Sequence, residues 1–177
     1  GFSLIELLVV MGIIALLVGL LVPGLTRARQ LAVKTACAAH LRQVGAAVQM
    51  YHDQSGGRYP AARYMPPPFI SSDDDPPLPD LLSSYVGDAR EVFHCPGDHG
   101  HVFELSGSSY VYNTGLSGRT VDENFLVRRL EFNVTELPVA YDFDSNTFET
   151  TNGPIHVPRF HLVRNLLFAD GHVGNYE

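Results

Sequence analysis

At 177 residues, 45% hydrophobic and 18% charged, the chain is long enough for one ordinary domain with a core and too short for two. Its 12 Lys and Arg against 19 Asp and Glu give a net charge of -7 with no basic stripe anywhere, which argues against a nucleic-acid partner. Cys37 and Cys95 lack the CxxC spacing of a zinc module, so compartment decides their state: one disulfide outside the cytoplasm, free thiols inside.

The chain opens GFSLIELLVVMGIIALLVGLLVPGLTRARQ. From Phe2 to Leu25 it holds a single charge, Glu6, over about the 20 residues that a helix needs to cross a bilayer core. The basic residues Arg27, Arg29 and Lys34 follow this run and none precedes it, the reverse of a secretory signal, and no small-residue cleavage site ends it cleanly. A plain membrane anchor leaves Glu6 without a purpose, because a carboxylate in hydrocarbon costs about 2.5–3.5 kcal/mol. Pro23 removes a helical hydrogen bond and, with Gly24, predicts a kink or local unwinding near the end of the run.

The stretch GFSLIELLVVMGIIALL, with Gly before Phe, an acid four residues after that Phe and then a long apolar run, resembles the start of type IV pilins and type II secretion pseudopilins. The resemblance implies cleavage by a prepilin peptidase between Gly1 and Phe2 and methylation of the new Phe2 amine. It also gives Glu6 a partner: the cationic Phe2 amine of a neighbouring subunit, two desolvated charges that offset each other when the geometry is good. By the same resemblance the chain waits in the bacterial inner membrane and then joins identical subunits in a helical filament, periplasmic or on the cell surface. An inner-membrane assembly platform and its ATPase drive that step, and the subunit itself is no enzyme.

After Pro23 comes TRARQLAVKTACAAHLRQVGAAVQMYHDQSGG, in which Cys37, Leu41, Val44, Val48 and Tyr51 share one helix face. The spacing predicts a helix from about residue 2 to about 54, roughly 80 Å long at 1.5 Å per residue. Its stretch 1–25 is apolar all round, its stretch 26–54 is one-sided and packs on the head, and residues 55–177 form that head. Because position 37 lies on the buried stripe, a Cys37–Cys95 disulfide would staple helix to head; the other reading makes Cys37 a buried free thiol that fills space. CAAHLRQ also resembles the Cys-x-x-Asn-Leu-Arg-Gln of a pseudopilin-like family, with His40 in place of the Asn.

In the head, PAARYMPPPFISSDDDPPLPD reads as an irregular loop whose Asp73, Asp74 and Asp75 serve solvation more readily than calcium, with a short helix at about 78–86. HCPGDHGH gathers His94, Cys95, Asp98, His99 and His101 on one turn, which makes tetrahedral convergence on zinc hard. SSYVYNTGL, FLVRRLEFN, LPVAYDFD and RNLLFADGHVGNYE read as three or four antiparallel strands, with Asp170-Gly171 as a hairpin turn. FHLVRNLLFADGHVGNYE is similar to the His…Asp-Gly ending of prepilin-type proteins, although His161 stands one residue closer to Asp170 than is usual there.

No cofactor is required on this reading. Asp142, Asp144 and Asp170 form a candidate oxygen site for a structural calcium, provided that the VAYDF strand neighbours the terminal hairpin. The expected fold is α+β: a long N-terminal helix, kinked near Pro23, packed on a small antiparallel sheet, the ladle shape of the pilin family. The competing functional class is a membrane-anchored metal-binding or hydrolytic domain using His94, His99, His101 and Asp170-Gly171-His172.

Overall fold

The computed structural model describes residues 3–71, 74–87 and 89–175. Gly1 and Phe2, the expected processing pair, and Asp73 of the acidic loop lie outside the described residues. The architecture is α+β, a long N-terminal helix with a small antiparallel sheet, and the chain divides into two compact units, residues 1–33 and 34–177. Helix α1 (Leu4–Gln54) contributes to both.

In the first unit every residue from Ser3 to Ala32 is exposed, Leu, Ile and Val side chains included. The helix runs through Pro23 and Gly24 without interruption, so the expected local unwinding does not occur. Proline forfeits only its own bond to the carbonyl four residues back, and the turns on either side stay helical. Thr26 Oγ1 donates to the Val22 carbonyl at 3.0 Å beside it.

In the second unit the predicted stripe is buried: Cys37, Leu41, Val44 and Val48 are inside, joined by Gly45 and Ala47, while Tyr51 is half-buried and meets the Tyr85 ring edge-on. Gly45 allows a close approach, since a Cβ there would lie 2.6 Å from Leu167 Cδ1. The helix stops where Gly56 and Gly57 take positive φ and Gly57 N–H bonds back to the His52 carbonyl.

Short helices α2 (Leu78–Leu81), α3 (Ser83–Val86) and α4 (Val102–Ser106) precede strand β1 (Tyr110–Tyr112), and α5 (Phe125–Leu130) follows it. Strands β2 (Pro138–Asp142), β3 (Asn146–Thr150), β4 (Gly153–Val157), β5 (Leu166–Phe168) and β6 (Val173–Gly174) complete the chain. The main sheet is antiparallel in the order β1-β2-β5-β6, and β3-β4 is a separate hairpin. The Asp-Gly turn forms as expected: Gly171 sits at φ 88° and Phe168 N–H bonds the His172 carbonyl at 2.9 Å. Gln49 of α1 and the Tyr59 hydroxyl both donate to the Ala169 carbonyl, fixing this hairpin to the helix.

One expectation about strands is corrected and one hairpin is added. FLVRRL, expected as a strand, is α5, because the Asn124 side chain accepts from Leu126 N–H at 2.8 Å and so caps a helical start. The β3-β4 hairpin is new; its signal was the alternation in Asn-Thr-Phe-Glu-Thr before a two-residue turn, Thr151-Asn152, that leads to Gly153 at φ 108°.

Replacing Gly45 by Val pushes a branched side chain into Leu167, which is itself buried. Chemical unfolding is expected to show a loss of about 1–3 kcal/mol, the cost of overpacking.

Candidate functional site

Cys37 and Cys95, both fully buried, are joined in a disulfide across 58 residues with their Cα atoms 4.8 Å apart. Helix α1 supplies Cys37, and the turn after the Arg90–Phe93 3-10 segment supplies Cys95. His40, one turn beyond Cys37, places Nδ1 2.6 Å from the His94 carbonyl, so the helix holds the Cys95 loop by its backbone as well. That is the position where the resembling family has Asn. The Tyr110 hydroxyl donates to the Cys37 carbonyl at 3.3 Å.

The rest of HCPGDHGH is occupied in other ways. Both Asp98 carboxylate oxygens accept backbone N–H groups, from Val102 and Phe103, and one also accepts the Ser109 hydroxyl. His94 stacks on Phe103, His99 is exposed, and His101 pairs with Glu104 at the surface. No group of His, Cys, Asp or Glu donors gathers these histidines among the described residues.

The group that does gather is Cys37, Cys95 and His161, whose donor atoms lie within 4.8 Å of one another. His161 Nε2 is 3.2 Å from Cys95 Sγ and 3.5 Å from Asp142 Oδ2. Gly97 makes room for the ring, since a Cβ there would meet His161 Cε1 at 2.6 Å. Asp142, fully buried at the end of β2, accepts from Asn165 N–H and Nδ2, and Asn165 Nδ2 also donates to the Lys34 carbonyl of α1. A polar chain therefore runs from the disulfide through His161, Asp142 and Asn165 back to the helix.

Burial sets the charge states of this chain. It pushes the Asp142 carboxyl up to about 7, against the hydrogen bonds from Asn165 and the charges of Arg164 and Lys34, all of which favour the carboxylate. Burial also pulls the His161 imidazole down to about 4, with the charges of Lys34 and His99 adding to the effect. His161 is accordingly a neutral imidazole at neutral pH.

The calcium triad does not converge. Pro138 pairs with Phe168 and Tyr141 with Leu166, so Asp142 and Asp170 lie at opposite ends of the β2-β5 ladder. Asp144 instead accepts from Arg159 Nε at 2.7 Å, a bond that holds its carboxyl below the usual range, and Asp170 pairs with His172 Nδ1 at 2.6 Å. Antiparallel pairing carries the chain after β5 away from the end of β2 where Asp142 sits.

Glu6 has a partner within its own chain. Its Oε2 accepts Ser3 N–H at 2.9 Å while Ser3 Oγ faces Ile5 N–H at 3.4 Å, a reciprocal cap on the first turn of α1. The signal was legible as Ser-x-x-Glu at the head of an apolar run. Sequence reasoning also passed over Asn165 and Tyr110, and it set His161 aside on spacing.

Comparison with family models, with curated proteins and with solved structures finds no match for this chain.

Removing the disulfide by Cys95→Ser is expected to cost about 2–5 kcal/mol, read as a lower unfolding midpoint under oxidising conditions. A second expectation concerns pH. Folded Asp142 keeps a proton up to about pH 7 that the unfolded chain releases near its ordinary value of 3.8, so its contribution to stability falls as pH rises through that window and levels above it. Asp142→Asn lacks this slope. Unfolding of the two oxidised proteins side by side is expected to show the variant gaining on the wild type from pH 4 to pH 7, whereas a pH-independent difference would contradict the shift.

Proposed function

We propose that the chain is a structural subunit of a type IV pilus-like or type II secretion pseudopilus filament, matured by a prepilin peptidase and polymerised through its N-terminal helix. The observation that carries this reading is the joint pattern of GFSLIELL and the helix that follows it. The segment is long and apolar enough to cross a membrane, and its large apolar side chains from Leu4 to Leu25 are exposed. A helix that is apolar all round is stable only in lipid or among other apolar helices. A subunit held in the inner membrane before assembly, and among copies of itself afterwards, meets both conditions in turn.

Glu6 then has two successive partners. In the single chain its carboxylate caps Ser3; in the filament it would meet the Phe2 amine of the next subunit, which presents a full positive charge in place of a backbone dipole. The net charge of -7 is compatible with a subunit that recognises other copies through apolar helices and needs no nucleic acid.

The N-terminal peptide of protein from its native cells is expected to begin at Phe2 and to carry one added methyl group by mass spectrometry. A start beyond Leu25 would overturn the reading. For assembly, Glu6→Gln keeps an oxygen for the Ser3 cap and loses only the charge, so the variant is expected to fold and enter membranes but to fail to sediment as filaments. Ser3→Ala, which weakens the cap and leaves the charge, is expected to assemble.

A further inference from the structure

The filament reading leaves His161 and Asp142 without a task; His161 and the two disulfide cysteines put their donor atoms within 4.8 Å of one another, and Asp142 Oδ2 lies 3.5 Å from His161 Nε2. We propose that the reduced chain binds one thiophilic divalent cation of the zinc type through Cys37 Sγ, Cys95 Sγ, His161 Nε2 and Asp142 Oδ2, so that cation and disulfide are alternative cross-links in one buried cluster.

Distances support the donor set. A tetrahedral zinc with Zn–S of about 2.3 Å and Zn–N of about 2.0 Å separates sulfur from nitrogen by roughly 3.5 Å and the two sulfurs by roughly 3.8 Å. Cys95 Sγ and His161 Nε2 already stand 3.2 Å apart, and Asp142 Oδ2 lies 3.5 Å from the same nitrogen. Once the disulfide is broken, the sulfurs can separate by rotation about the two Cys Cα–Cβ bonds, with the Cα atoms 4.8 Å apart.

Chemistry selects the cation. Two thiolates and an imidazole favour zinc over calcium or magnesium, whose hard shells need oxygen. The supporting shell is in place: Asn165 holds the Asp142 carboxylate with its N–H and Nδ2, and Gly97 leaves the space that the His161 ring fills. All four donor residues are buried, with His161 the most exposed at 7%. Reduction without a cation would leave two unlinked thiols beside a buried imidazole and carboxyl.

The steps balance. A dithiol reductant gives two electrons and two protons to the Cys37–Cys95 bond, which breaks into two thiols as the reductant closes to its own disulfide. The cation then forms two sulfur bonds as the thiols release two protons to solvent, while neutral His161 donates a lone pair and Asp142 binds as the carboxylate, its own proton, where it still carries one, also passing to solvent. A small-molecule disulfide that accepts the two electrons re-forms the Cys37–Cys95 bond and expels the cation, taking up two protons as it leaves as two thiols.

The test uses the full chain in detergent micelles, reduced with a phosphine and titrated anaerobically with cobalt(II) and then zinc(II). Expected is one cation per reduced chain, with the intense visible bands of tetrahedral cobalt and a sulfur-to-cobalt charge-transfer band, all absent from the oxidised chain. His161→Gln and Asp142→Asn, each altering a direct donor, are each expected to weaken zinc binding at least about tenfold. Absence of stoichiometric binding by the reduced chain, or undiminished binding by folded His161→Gln, would overturn the proposal. Should either variant lose its fold, X-ray absorption of the zinc-loaded wild type decides: two sulfurs with nitrogen and oxygen support the site, and any other sulfur count refutes it.

Discussion

The covalent bond between Cys37 and Cys95 organises the head, because it ties the buried face of α1 to a loop that has little regular structure of its own. Around it the helix offers the His40 ring to the backbone beside Cys95 and the Cys37 carbonyl to Tyr110 on β1. Farther along, Gly45 and Gln49 receive the β5-β6 hairpin through Leu167 and the Ala169 carbonyl. Short strands of two to five residues make a weak sheet by themselves. A rigid helix face gives them a common surface, and the disulfide restricts the unfolded chain from losing it.

One helix carries two different surfaces. Residues from Leu4 to Leu25 are apolar in every direction and exposed, whereas from Cys37 onward only one face is apolar and that face is buried. The first pattern leaves its apolar side chains exposed, and the second is satisfied within residues 34–177. Exposure and burial are therefore assigned to different stretches of a single element, and the observed hydrogen bond of Glu6, to Ser3 N–H, lies within the exposed stretch.

Inside the head the polar chain from His161 to Lys34 is an expensive arrangement, since buried polar groups stabilise only when each finds a partner. Asn165 meets this demand twice over, serving Asp142 and the α1 backbone with adjacent donors. Such a network does little for a purely structural core that apolar residues could fill as well. Its position against the disulfide sulfurs is what gives it chemical meaning.

Periodicity and composition alone determined much of this protein. The 37/41/44/48/51 face, the apolar opening, the Ser-Gly-Gly stop and the Asp-Gly hairpin follow from local rules, each carried by residues close in sequence. The Cys37–Cys95 bond was one of two readings until the fold brought the sulfurs together. What the tertiary structure decided are the long-range matters. The β2-β5 register separates Asp142 from Asp170 and breaks the expected calcium site, and the Asn124 cap turns FLVRRL into a helix. His161, distant in sequence from the cysteines, meets Cys95 Sγ, and Asp142 in turn meets His161, only once the chain is folded. Spacing along a chain reports faces and turns, but which buried groups share a site depends on strand register and on how the loops close, and these exist only once the chain is folded.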